Sequence, residues 1–379
     1  MTTDLFTFFR QSPMRRDLIS GNLQDPAAHY LLYGMDHLSR CGLTYDHNLV
    51  GQGNVDIPQG RLAHWLGYLT TRLGGIGGDY QTILSHRRRA NRSAVILSTV
   101  DTVGIPLVLF KRAGLIHPPL VYISIGLPER IGKMPPGRIQ AFYRNAYRGV
   151  SRFIAYGWEE AEWLRRWQNI PENSTQVVFL PFGVDADHFA PCPDVTPTVD
   201  VLTIGADPQR DFKALFEIAA RHQSIKFRVI AGAAHAATLS SAPHNVEVLI
   251  DVPFSEMRRH LAGARVIALP IHENTYSAGT TTLLQAMSMA RPVVVSQTGA
   301  IRQGYELMDR GNCRLVAPGN TPAFEAALLD TLHEPEKAIQ MGLAARQTIV
   351  QHLTWRHYED RLFAVLQEAR QQATPGKDS

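Results

Sequence analysis

From Ser277 to Ser296 the chain reads SAGTTTLLQAMSMARPVVVS. This segment carries a turn, a helix and a strand, and the helix opens on small and hydroxylated residues. Ala278, Gly279 and the run Thr280, Thr281, Thr282 leave several backbone N–H groups bare at its start. Bare donors at the positive end of a helix dipole make a seat for a phosphate. Leu283, Leu284 and Met287 then recur at helical spacing, and Pro292 stops the helix before the strand Val293–Val295. Asp101, after the apolar run Ala94–Thr99, and Glu129, after Leu120–Ile125, are polar groups at strand ends, where a carboxylate can orient or deprotonate a hydroxyl. His272 and Glu273 follow a strand that ends at Pro270. The glycine-rich stretch Leu73-Gly74-Gly75-Ile76-Gly77-Gly78-Asp79 precedes a helical pattern, but lacks the GxGxxG spacing after a strand that a dinucleotide fingerprint requires.

These groups need a scaffold, and the hydrophobic pattern supplies one. Apolar runs at Leu5–Phe9, Ala94–Thr99, Leu120–Ile125, Arg152–Tyr156 and Val177–Leu180 predict strands in the first half. Val201–Ile204, Phe227–Ala231, Val246–Ile250, Val266–Leu269, Val293–Val295 and Cys313–Val316 predict strands in the second. Helical stretches separate most of them, which predicts parallel sheets built from βαβ units. The segment Phe182–Asp200, with Pro191, Pro193 and Pro197 and little periodicity, reads as a hinge between two such domains. A helical pattern over Thr354–Gln371 follows the last unit, and the final ATPGKDS reads as disordered. Doubly wound sheets bind ligands at the carboxyl ends of their strands.

Composition narrows the class. With 379 residues, 45% hydrophobic and 19% charged, the chain reads as a soluble globular protein of two domains. No apolar run is long enough to span a bilayer, and Arg10, Arg15 and Arg16 come too early for a signal-peptide core. Cys41, Cys192 and Cys313 lie far apart without metal-type spacing, so a reduced cytoplasmic setting is expected, with the thiols contributing packing. The net charge of +4 hides a bias: twelve Lys and Arg between Gln81 and Arg152 are opposed only by Asp101 and Glu129. Arg87, Arg88 and Arg89 are consecutive, fan out around any element, and suit an anionic membrane surface. No nucleic-acid module is recognisable, so nucleic acid is not an expected partner.

Three blocks then point to a family. Phe182-Gly183-Val184-Asp185 with Phe189-Ala190-Pro191 resembles the "GVD…F.P" interdomain signature of glycosyltransferase family 4 (group 1). Leu284-Gln285-Ala286-Met287-Ser288 with Arg291-Pro292-Val293-Val294 is similar to its "LEAMA.G.PVV" donor-site block. Met341-Gly342-Leu343-Ala344-Ala345-Arg346 and Thr354-Trp355 resemble its "MG..AR…TW" C-terminal signature. The resemblance implies an α/β, GT-B fold: two doubly wound, Rossmann-like αβα domains facing a central cleft. Residues 1–183 would form the acceptor-side domain and 184–355 the donor-binding domain, with a last helix over 356–379 packing back on the first.

The resemblance also implies a reaction. It is transfer of a sugar, with retention, from a nucleotide-diphosphate sugar to a hydroxyl of a glycan, glycolipid or small molecule, with UDP the expected base and no metal or other cofactor. The alternative is a non-catalytic nucleotide-sugar-binding protein that partners another transferase. By the same resemblance the leaving diphosphate would meet Gly279, Thr280 and Thr281 and the loop Gly205-Ala206-Asp207-Pro208-Gln209-Arg210. Arg210 takes the place of the family's loop lysine, with Lys213 as a helper; a surface ion pair of Arg210 with Asp207 or Asp211 is the competing reading. Gln285 stands where the family has its ribose-binding glutamate, and Ser277 where another glutamate meets the donor sugar; Glu273 is a replacement from the preceding loop. Ile125 stands where the family's strand ends in a sugar-contacting histidine. Gly77, Gly78 and Asp79 read as a cleft loop or as a plain turn. Asp185-Ala186-Asp187 has the form of a metal-binding DxD, yet lies inside the hinge signature, so no metal is expected there. For the acceptor, a lipid-linked molecule or growing glycan at the inner membrane face is preferred over a soluble small molecule.

Overall fold

A computed structural model of the chain describes residues 3–35, 42–49, 60–74 and 77–372. Cys41, the Gly75-Ile76 part of the glycine-rich stretch and the terminal 373–379 lie outside the described residues. The chain divides into two compact units: Met1–Gln24 with His29–Leu180 and Glu359–Ser379, and Asp25–Ala28 with Pro181–Tyr358.

The first unit holds strands β1 (Thr3–Phe8), β2 (Tyr45–His47), β3 (Ser93–Ser98), β4 (Leu120–Ser124), β5 (Arg152–Ala155) and β6 (Val177–Phe179), in the order β2-β1-β3-β4-β5-β6. The second holds β7 (Val199–Ile204), β8 (Phe227–Ala231), β9 (Val246–Ile250), β10 (Ala264–Leu269), β11 (Val293–Ser296) and β12 (Arg314–Val316), in the order β12-β11-β10-β7-β8-β9. Every described pairing between these strands is parallel. Strands such as β4 and β11 are buried along their whole length, which is why their sequences read as unbroken apolar runs rather than alternating ones. Each sheet anchors its own apolar core, around Phe6, Tyr122 and Phe153 in the first unit and around Phe212, Phe227 and Phe324 in the second.

Strand order decides where chemistry can sit. In the first sheet the order reverses between β1 and β3, and in the second between β7 and β10. Loops that leave neighbouring strands in opposite directions open a crevice at the carboxyl ends of those strands. The relevant loops therefore follow β1 and β3 in one unit, and β7 and β10 in the other.

The family-like signature blocks of the second unit are knitted to one another. The Val184 N–H donates to the Leu353 carbonyl at 3.0 Å and the Trp355 N–H donates to the Val184 carbonyl at 2.7 Å. Phe182 packs edge-on against Trp355 and Tyr358, both with ring centroids at 5.1 Å. Arg346 Nη1 donates to the carbonyls of Ala186 and Ser288 at 2.8 and 3.0 Å, and Ser288 Oγ donates to the Phe189 carbonyl at 3.0 Å. These signatures latch the segment after Pro181 to the unit's last helices. Asp185 belongs to that latch: its Oδ1 accepts from the N–H groups of Asp187 and His188 at 3.1 and 2.9 Å, as in an Asx turn.

Candidate functional site

The helix Thr280–Ser288 begins with Gly279 as its preceding residue, at φ 77°. That left-handed conformation suits glycine, and a residue without a side chain cannot cap; the Thr280 N–H turns back to the Ser277 carbonyl at 3.2 Å, while the N–H groups of Thr281 and Thr282 stay open among the described residues. Arg210, from the loop after β7, lies against this helix start with only 6% of the residue exposed. A Cβ on Gly205 would stand 2.0 Å from Arg210 Nε, and one on Gly279 would stand 2.9 Å from Nη1. Two glycines thus make the slot that the guanidinium occupies. Nη2 donates to Thr282 Oγ1 at 3.3 Å, whereas Nε and Nη1 have no partner among the described residues. Burial pulls the Arg210 pKa down to about 10, against the pull of nearby Asp207 and Tyr276, so the group remains a cation at neutral pH. A buried cation with open donors is costly until an anion answers it.

Arg210 is buried and makes no ion pair with Asp207 or Asp211 among the described residues, although the Asp207 charge still acts on it; both carboxylates are held by other donors. Asp207 accepts from the Gln209 N–H at 2.8 Å and from the Tyr276 hydroxyl at 3.0 and 3.1 Å. That second contact ties the loop after β7 to the loop after β10. Asp211 Oδ1 caps the helix Phe212–Arg221 by accepting from the Ala214 N–H at 3.0 Å, and its Oδ2 lies 3.6 Å from His272 Nδ1. Thr280 and Gln285 are buried on the same helix as Thr281, and Ser277 is half-buried just before it. Gly205, Arg210, Gly279 and Thr282 converge; the sequence marks Thr282 in the helix-start run, but not as the residue whose hydroxyl meets Arg210. Lys213 stands exposed on the first turn of its helix. Glu273 is exposed, and its Oε1 accepts from the N–H groups of Asn274 and Gly299 at 3.1 and 2.7 Å, bracing the loop after β11.

In the first unit a cavity of about 570 Å³ opens at the reversal point, lined by Arg10, Arg15, Tyr33, Asp101, Ile125 and Arg130 among others. Asp101 is buried at the start of the helix Asp101–Arg112; it accepts from the Tyr122 hydroxyl at 2.7 Å and lies 3.3 Å from Arg130 Nε. Burial outweighs both contacts and lifts its pKa to about 6. Ile125, one residue past β4, lines the wall, while Glu129 lies on the following helix Leu127–Gly132 and outside the lining. Behind this wall is an acid that sequence reasoning missed. Glu160 is wholly buried, and its Oε1 accepts from Ser124 Oγ at 2.6 Å and from the N–H groups of Gly126 and Leu127 at 2.9 and 3.2 Å. It sits on the helix Trp158–Gln168, where no local pattern marks it.

Gly77, Gly78 and Asp79 line a second cavity of about 640 Å³, which shares Arg10, Gln11 and Thr102 with the first. Asp79 is also the N-cap of the helix Tyr80–Ala90, accepting from the N–H and hydroxyl of Thr82 at 2.9 and 2.6 Å. Asp79→Ala should therefore lower stability by about 1 kcal/mol and Asp79→Asn by much less, read by urea titration. Equal losses would deny the cap. At the other end of this helix Arg89 pairs with Asp46 and lies over Phe6 at 5.7 Å, so the three-arginine patch is reduced to Arg87 and Arg88.

Residues 201–334 match the family model described as Glycosyl transferases group 1. Among solved structures, the fold is similar to sucrose-phosphate synthase from Thermosynechococcus elongatus, with TM-score 0.72 and 12% identity over 96% of this chain and 98% of that one. It is also similar to Anabaena HepE in complex with UDP, with TM-score 0.64 and 13% identity over 97% and 100%. The chain therefore has the GT-B fold, and residues 201–334 of its second unit match a group 1 glycosyltransferase domain. A curated relative is the GDP-mannose-dependent alpha-(1-6)-phosphatidylinositol monomannoside mannosyltransferase of Mycolicibacterium smegmatis, 28% identical over 229 residues. That match spans 52% of this chain and 59% of the relative's length.

Proposed function

We propose that this protein is a retaining glycosyltransferase that moves a sugar from a nucleotide-diphosphate sugar to an acceptor hydroxyl. The observation that carries the reading is Arg210: a buried guanidinium with Nε and Nη1 unpartnered among the described residues, set in a glycine slot at a helix start without a side-chain cap. The donor's diphosphate lies over that start, with Arg210 donating to its oxygens. Charge grows on the departing diphosphate in the transition state, so donors already fixed in a dry pocket lower the barrier. Arg210 and the helix amides supply the positive charge, and the reading calls on no metal or other cofactor. The Gln285 amide, one turn along, offers both a donor and an acceptor to the ribose. Ser277 borders the sugar, and Asp101, with a pKa of about 6, is mostly ionised at neutral pH and orients the acceptor hydroxyl.

UDP is the first choice of base; GDP, carried in the name of the mycobacterial relative, is the second. The reading takes the reaction to run on the cytoplasmic side. Contact with an anionic membrane would run through Arg87 and Arg88, and among the described residues no helix is long and apolar enough to cross a bilayer.

Calorimetry with UDP, GDP and ADP should show one of them binding, and the matching nucleotide sugar should release free diphosphate when acceptor is supplied. No binding of any of the three at millimolar concentration removes the donor-site assignment. Persistent binding without release, across a panel of sugars, turns the reading to a non-catalytic partner of another transferase.

A further inference from the structure

The reversal point of the first sheet holds an unbalanced set of charges. Arg10, two residues past β1, Arg15 and Arg130 line the same cavity of about 570 Å³, and Asp101 is the one carboxylate among its described lining residues. Arg15 is partly committed to building the wall: its Nε donates to the Leu31 carbonyl at 3.0 Å and its Nη1 to the Arg10 carbonyl at 3.2 Å. The second bond fixes the backbone of Arg10, so Arg15 positions the residue beside it. Arg130 Nε forms an ion pair with Asp101 Oδ2 at 3.3 Å, which leaves its two terminal amino groups for something else. Arg10 itself is exposed at the rim. Three guanidiniums against one carboxylate leave a net positive field that a neutral sugar would not answer. A planar fork matches two oxygens of a phosphate, and a volume of this size holds a phosphorylated monosaccharide or cyclitol.

We propose that the acceptor is a phosphate ester of a polyol, with its phosphate on Arg10 and Arg130 and its hydroxyls toward Asp101. This rests on the transferase reading above for the word acceptor, but the site is a property of the first unit alone. The phosphate ester can be free in solution or be the headgroup of a lipid, and the same guanidiniums serve both.

Calorimetry of the full chain with hexose phosphates, cyclitol phosphates, the unphosphorylated parents and inorganic phosphate tests the site without any turnover. One phosphorylated polyol should bind at least about tenfold more tightly than its neutral parent, the scale of a charged hydrogen bond. Arg10→Ala and Arg130→Gln should each remove about that advantage while binding of the nucleoside diphosphate is unchanged. Arg210→Ala should leave polyol-phosphate binding intact. If no soluble ester binds, vesicles carrying a phosphatidyl-polyol should retain the chain better than phosphatidylserine vesicles of equal charge, and Arg10→Ala should abolish the difference. Equal binding of phosphorylated and neutral polyols, loss of the ester with Arg210→Ala, or indifference to both esters and vesicles overturns the proposal. Failure of nucleoside diphosphates to bind the wild type overturns the donor reading instead and leaves the arginine cavity standing.

Discussion

Gly205→Ala is expected to weaken nucleoside diphosphate binding about as much as Arg210→Ala does, by roughly 1.5–3 kcal/mol, or about 10- to 150-fold. The added methyl would lie 2.0 Å from Arg210 Nε and 2.5 Å from Cζ, so the guanidinium must leave its slot. Gly205 keeps its ladder bond, N–H to the Ile230 carbonyl at 2.9 Å, since a methyl does not touch that contact. The double variant Gly205→Ala/Arg210→Ala decides whether the glycine acts through the arginine. It should bind no worse than Arg210→Ala alone, because the clash has no target once the guanidinium is gone. Additive losses in the calorimetric cycle would mean that Gly205 serves the ligand by another route, such as close approach of its own backbone.

The second large effect lies in the other unit and is read by pH. Burial lifts the Glu160 pKa to about 8, with Asp101 and Glu129 pushing the same way and the bonds from Ser124 and Gly126 opposing. A carboxyl whose folded pKa stands above its unfolded value holds its proton more tightly when folded. Its contribution is complete below about pH 4.5 and is lost as pH rises toward about 8. Between pH 5 and 8 that amounts to a loss on the order of 3 kcal/mol. Glu160→Gln keeps an oxygen for the three donors at Oε1 and cannot titrate. Its urea-unfolding free energy should therefore fall less steeply than the wild type's across this range, with groups common to both cancelling in the comparison. Identical slopes would show that Glu160 does not carry the proton.

The sheets were largely legible because their strands are buried on both faces. The eleven apolar runs all appear as strands, displaced by at most two residues at either end. β2 escaped because three residues, Tyr45–His47, cannot show a period of two and contribute a partly buried edge beside β1. The helix start at Gly279 and the loop to Arg210 could be found from the sequence, one by its small residues and the other through family resemblance. Their meeting depends on β7 and β10 being neighbours, a fact of strand order that no local pattern contains. The same holds for Arg10 and Asp101, separated by ninety residues of chain and joined by the pairing of β1 with β3. Arg130 was visible only as part of a charge count. Glu160 left no trace, because a lone acid on an amphipathic helix looks like a solvated one until its neighbours are known.

The two unmatched donors of Arg210 also bear on how long the molecule lasts. An anion that satisfies Nε and Nη1 binds the native chain and has nothing equivalent to bind in the unfolded one. At a hundredfold excess over its dissociation constant such a ligand adds about 2.7 kcal/mol to the free energy of unfolding. Local opening of the second unit, and with it attack by proteases, then becomes rarer by about two powers of ten. The concentration of such an anion would thereby set how long the native chain withstands proteolysis in solution.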